Sequence, residues 1–95
     1  MMPMTFLARF QVKPEKEAEF IDLVFAAERE AANEPDTLAY KFYRLDEPCH
    51  YAVFESFTDA SADEAHQANP ANVPIIEKMI SCMAGTYTRE YLHDV

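Results

Sequence analysis

A chain of 95 residues with 17 acidic against 8 basic side chains, formal charge -9, reads as one small acidic domain. Such a surface repels polyanions, which argues against nucleic acid and anionic membrane as partners, and no Lys/Arg cluster opposes this. Hydrophobic residues make up 49% and aromatics 13% of the chain, more apolar material than a small two-layer domain hides alone, so a second subunit is expected.

The opening Met1-Met2-Pro3-Met4 has neither the basic start nor the apolar run of a secretory signal. No segment approaches the roughly 20 apolar residues that a membrane helix needs. A cytoplasmic location is the expectation. Cys49 and Cys82 are isolated and form no C-x-x-C motif, which points to reduced thiols and away from zinc. The single glycine, Gly85, leaves no glycine-rich phosphate loop.

Thr5 to Val12 has the alternation of a strand, with Phe6, Ala8, Phe10 and Val12 on one face and Thr5, Leu7, Arg9 and Gln11 on the other. Pro14 suits a first helical turn, and the spacing predicts a helix from Glu15 to about Asn33. Its buried stripe is Phe20, Leu23, Val24, Ala27 and Ala31, widened by Ile21, Phe25 and Ala32. Pro35 and Asp36 end it. Thr37 to Leu45 and His50 to Phe57 are two further strands, joined by the turn Asp46-Glu47-Pro48 into a hairpin. Tyr51, Val53, Glu55 and Phe57 share one face of the third strand.

Asp59 or Ser61 can cap a short helix through about Ala68, which Pro70 and Pro74 interrupt. A second helical piece runs from about Pro74 to Cys82, with Ile75, Ile76, Met79 and Ile80 as its stripe. Gly85 follows as a stop, and Thr86 to Leu92 is the last strand. The order β-α-β-β-α-β is the ferredoxin-like, split-βαβ arrangement: an α+β fold with a four-stranded antiparallel sheet. Helices roof only one face of such a sheet, while both faces here carry apolar side chains. A homodimer through the free sheet face is therefore expected.

His66, in the interrupted helical region, is the first candidate for chemistry, because histidine exchanges protons near physiological pH. The alternative is a ring packed on the sheet and bonded to a strand carbonyl or carboxylate. Glu55 stands on an otherwise apolar strand face, where a carboxylate needs a partner. It is either a structural anchor or a group that orients His66 or acts as a base of raised pKa. Tyr40, Tyr51, Phe57 and Phe10 are candidates to line a pocket, and Arg9, Arg44 or Arg89 to bind an oxyanion. Three dispersed histidines make no metal site.

Several segments resemble the antibiotic biosynthesis monooxygenase family of the dimeric α/β-barrel superfamily. They are Val12-Lys13-Pro14-Glu15-Lys16, then Ala32-Asn33-Glu34-Pro35-Asp36-Thr37-Leu38-Ala39-Tyr40, then Phe54-Glu55-Ser56-Phe57-Thr58-Asp59, then Glu64-Ala65-His66 and Asn69-Pro70. The resemblance covers about residues 4 to 92. It implies a dimer with a small-molecule pocket between sheet and helices, and oxidation of a phenol or quinol by O2 without metal or flavin. His66 and Glu55 would then be catalytic. Many members carry tryptophan where this chain has Phe57, and haem-degrading members also need an asparagine on the first strand; both are missing here. The Phe54–Asp59 stretch with His66 also resembles the isomerase of phosphorylated autoinducer-2, a small phosphorylated hydroxyketone. A non-enzymatic ligand-binding dimer is the third reading, since the fold does not determine the activity.

Overall fold

The computed structural model describes residues 3–95; Met1 and Met2, read above for targeting character, lie outside the described residues. The chain runs β1 (Met4–Gln11), α1 (Glu17–Ala31), β2 (Thr37–Arg44), β3 (His50–Phe57), α2 (Ala60–Ala68), α3 (Val73–Cys82) and β4 (Thr88–Leu92). The strands form one antiparallel sheet in the order β2-β3-β1-β4. This is the ferredoxin-like α+β arrangement, with the second helical crossover split in two.

The period-2 pattern of β1 decides which face the helices cover. Phe6, Ala8 and Phe10, with Val12 just beyond the strand, are all buried. Phe10 and Val12 pack with Phe20 and Ala27 of α1 and with Met79 and Cys82 of α3. Phe6 packs with Phe57 of β3 and Ala62 of α2. Phe6, Phe20 and Phe57 are fully enclosed, each contributing about 1.5–3 kcal/mol over an exposed position. The outer face is mixed. Leu7 opposes Phe54 in register, and Tyr43 and Leu92 are exposed there, but Lys41, Arg9 and Glu90 interrupt the apolar strip.

Departures from the sequence reading have local causes. Pro14–Lys16 form a 3-10 turn, so α1 starts at Glu17. At its other end, Asn33 N–H and Glu34 N–H donate to the Glu30 and Ala31 carbonyls, a tightened last turn that carries Glu34 past the helix. A bulge in β2 leaves Leu38 unpaired between Thr37 and Ala39, and this residue, which even alternation puts on one face with Tyr40, is exposed. Phe25, Ala32 and Ile80 sit at the flanks of their stripes and are exposed rather than buried. β4 begins at Thr88, two residues late, because the chain first bridges Val12 to Met83 and turns at Gly85, whose φ is 96°. Among the described residues no helix is long and apolar enough to cross a membrane.

Candidate active site

Asp59 caps α2 by accepting the Ala62 N–H at 2.9 Å. That start point sets the rotation of the helix, and Ala62, Asp63 and His66 face inward. The His66 side chain is only 3% exposed. Its ring lies against Tyr40 and Phe57, with centroids at 4.8 and 5.4 Å.

His66 Nδ1 is 2.7 Å from Glu34 Oε1, which also accepts from the Thr37 hydroxyl at 3.0 Å. The other oxygen, Oε2, accepts from Asn69 at 2.9 Å and Asn72 at 2.8 Å. Asn72 spends its second amide hydrogen on the His66 carbonyl at 2.9 Å. Burial pushes the Glu34 carboxyl up, but the bonds from His66 and Asn69, the His66 charge and the Thr37 hydroxyl outweigh it, and its pKa is lowered. An ionised carboxylate only accepts. The partners therefore assign the proton to Nδ1, leaving Nε2 bare when the ring is neutral.

Nε2 points to Glu55 of β3, whose Oε1 is 4.0 Å away, too far for a hydrogen bond. The Glu55 side chain is 12% exposed. Burial pushes its pKa up to about 8, with the Arg89 guanidinium opposing and the Asp63 carboxylate adding to the rise. Glu55 thus stands as a neutral acid at pH 7. Arg89 of β4 is held by Asp63 through two bonds, 2.6 and 3.3 Å, and lies 4.1 Å over the Phe6 ring. Gln67 donates to the same Asp63 at 3.0 Å. Burial, then the charges of Glu55 and Glu34, raise the Tyr40 pKa, so its hydroxyl stays protonated.

These groups surround a cavity of about 70 Å³ between sheet and helices. Phe10, Tyr40, Phe42, Ile76, Met79 and Tyr87 wall it; His66, Glu55, Gln67 and Arg89 are its polar groups. The arrangement can take a proton at Nε2 and offer one from Glu55 to an adjacent atom. Among the described residues no cluster of His, Cys, Asp and Glu is suited to hold a metal ion.

Of the residues singled out from the sequence, His66, Glu55, Tyr40, Phe10 and Arg89 meet in this cavity, whereas Phe57, Tyr51, Arg9 and Arg44 do not, Arg44 lying beside the groove between α1 and β2. Phe57 backs the His66 ring from within the core. Tyr51 lies further along the sheet, its hydroxyl donating to Glu17 at 2.7 Å, beside a groove between α1 and β2. Arg9 is on the outer sheet face and pairs with Glu90 at 3.3 Å, because the pleat turns it opposite to Phe10. The orienting partner of His66 is Glu34, not Glu55. The sequence signal for Glu34 was its place beside Pro35 in a family-like segment; nothing local showed that α1 would end against α2.

The fold is shared with solved structures. A candidate antibiotic biosynthesis monooxygenase from Caulobacter crescentus CB15 is 29% identical, with a TM-score of 0.88 over 98% of this chain and 90% of its own. A conserved protein from Methanosarcina mazei Go1 is 23% identical, with a TM-score of 0.89 over 100% and 95%. SnoaB, a cofactor-independent oxygenase from Streptomyces nogalater, is 22% identical, with a TM-score of 0.80 over 97% and 92%. No curated protein matches the chain. The sequence profile described as antibiotic biosynthesis monooxygenase matches residues 3–73. On that match, which spans most of its length, the chain belongs to the antibiotic biosynthesis monooxygenase family.

Proposed function

We propose that this protein, as one cytoplasmic domain, is a monooxygenase that oxidises a small phenol or quinol with O2, with His66 as base and Glu55 as acid. The observation that carries the reading is the 4.0 Å gap between His66 Nε2 and Glu55 Oε1 inside an apolar cavity. One substrate oxygen fits at about 2.8 Å from both atoms. There it gives its proton to Nε2 and accepts a bond from the neutral Glu55 carboxyl. The resulting oxyanion gives its electrons to O2: one oxygen atom bonds to a ring carbon and stays as a carbonyl, that carbon loses its hydrogen, and the second oxygen atom leaves as water, so the substrate is itself the reductant and the reading calls for no cofactor. The protein's task is to deprotonate, to hold and to exclude water. Phe10 and Tyr40 supply faces for an aromatic ring.

The cavity as it stands is smaller than the roughly 150 Å³ that holds a benzene. Entry therefore requires the exposed Ile80 and Tyr87 at its rim to move aside. Isomerisation of a phosphorylated hydroxyketone would use the same acid and base. It also needs a cation for phosphate, and the Arg89 charge is committed to Asp63; that favours oxidation. The outer sheet face, with Leu7, Phe54, Tyr43 and Leu92, is the proposed homodimer contact.

Oxygen consumption with a panel of quinols tests the reading. Wild-type protein is expected to exceed His66→Ala by about 10²–10⁴-fold, the usual worth of a positioned base. Equal rates in the two proteins overturn it.

A further inference from the structure

Outside the cavity, on the far side of the His66 ring, lies a second, open groove of about 500 Å³ between the end of α1 and α2. Glu34, Asp36, Thr37, Ala65, Ala68 and Asn69 are among its walls. Glu34 lines this groove and not the inner cavity; His66 lines the inner cavity and not the groove. Their 2.7 Å contact is thus the junction between the two spaces. The exposures agree: the Glu34 side chain is 15% accessible and that of His66 only 3%.

We propose that Glu34 is a proton port, which connects His66 to bulk water through the outer groove while substrate fills the inner cavity. The inference rests on His66 acting as the base. A ligand in the cavity covers Nε2, and the buried ring then has no other accessible face. A proton taken at Nε2 makes the ring a cation. The Nδ1 proton can then pass to Glu34 Oε1 and on to groove water, and returns by the reverse path when a later step needs it. No electrons move, and each transfer breaks one N–H or O–H bond as it makes another. The titratable groups facing Glu34 are His66 from α2, Asp36 in the groove and Tyr40 from β2. Its remaining partners, Thr37, Asn69 and Asn72, do not titrate in this range. Asp36 adds a second carboxylate where protons arrive.

The test blocks the groove and leaves the site intact. Ala65 and Ala68 are exposed positions of α2 on the groove wall, so Ala65→Leu with Ala68→Leu fills it from a helix that tolerates leucine. The exchange of the His66 ring N–H with water is measured by nitrogen-15 NMR, with phenol saturating the cavity. The filled-groove variant is expected to exchange about tenfold or more slowly than wild type, water having been shut out from the only remaining side. Equal exchange in both proteins overturns the port. So does exchange in the filled-groove variant that phenol fails to slow, since a cavity still open to water needs no second route. The measurement involves no turnover. Loss of the base reading would appear separately, as unchanged oxygen uptake in His66→Ala.

Discussion

Replacing Glu55 by glutamine should change how stability depends on pH more than it changes the fold. The Glu55 carboxyl has its pKa raised from 4.5 to about 8, chiefly by burial. The folded state therefore keeps a proton that the unfolded chain has already lost. Between those two values unfolding releases a proton, and stability falls as pH rises. The contribution is full below about pH 4.5 and is lost by the time pH passes about 8. At about 1.4 kcal/mol per unit, the shift corresponds to an upper bound of about 5 kcal/mol. Water in the cavity and movement of Arg89 toward an ionised Glu55 reduce this, so a fall of about 2–5 kcal/mol is expected. A domain of this size has a total stability of about 5–14 kcal/mol, which makes the effect large. Glu55→Gln keeps the shape and removes the ionisation. Urea unfolding at fixed protein concentration, near about pH 5 and about pH 9, should show wild type losing stability that the variant retains. Parallel pH profiles in the two proteins would refute the argument that burial holds this carboxyl neutral.

Glu34→Gln should invert the His66 tautomer. The glutamine oxygen goes to the two donors Asn69 and Asn72, and its amide turns to Nδ1, which must then accept. Nitrogen-15 shifts of the ring report this directly, and turnover on any accepted quinol should drop by about 10³–10⁴-fold, as for a mis-set catalytic histidine; an unchanged tautomer would contradict the assignment. Phe54→Lys, on the outer face opposite Leu7 and beside Lys41, places like charge where the dimer contact is proposed. Light scattering should show monomer, and a dimer that persists at the same concentration would place the interface elsewhere.

The fold was legible because its pattern is strong where packing is simple. Phe6, Ala8, Phe10 and Val12 mark a half-buried strand, and Phe20, Ala27 and Ala31 a helix over it. The bulge at Leu38 was not legible: a strand written in even alternation gives no sign of the residue that pairing will skip. The site was legible in its inward groups. A histidine in a helix and a glutamate among apolar strand neighbours are each conspicuous in one dimension. Glu34 was not, since a glutamate at a helix end is ordinary until the chain folds it onto a histidine 32 positions away. Arg9 misled for the opposite reason: its sign suited an anion, but its parity in the strand put it on the other side of the sheet.

The break between α2 and α3 has a consequence for anyone seeking to strengthen this protein. Asn69 leaves the helix in extended conformation, and Asn72 stands just before α3 begins. From those two places their amides reach across to the end of α1. A continuous rod through 60–82 would propagate hydrogen bonds without interruption and gain rigidity. It would also carry both amides around its circumference, away from the carboxylate they hold. Splicing the seam, the obvious engineering gain in a short domain, would unseat the imidazole. The irregularity is the joint on which alignment of the ring hangs, and a more robust scaffold would be a less competent one.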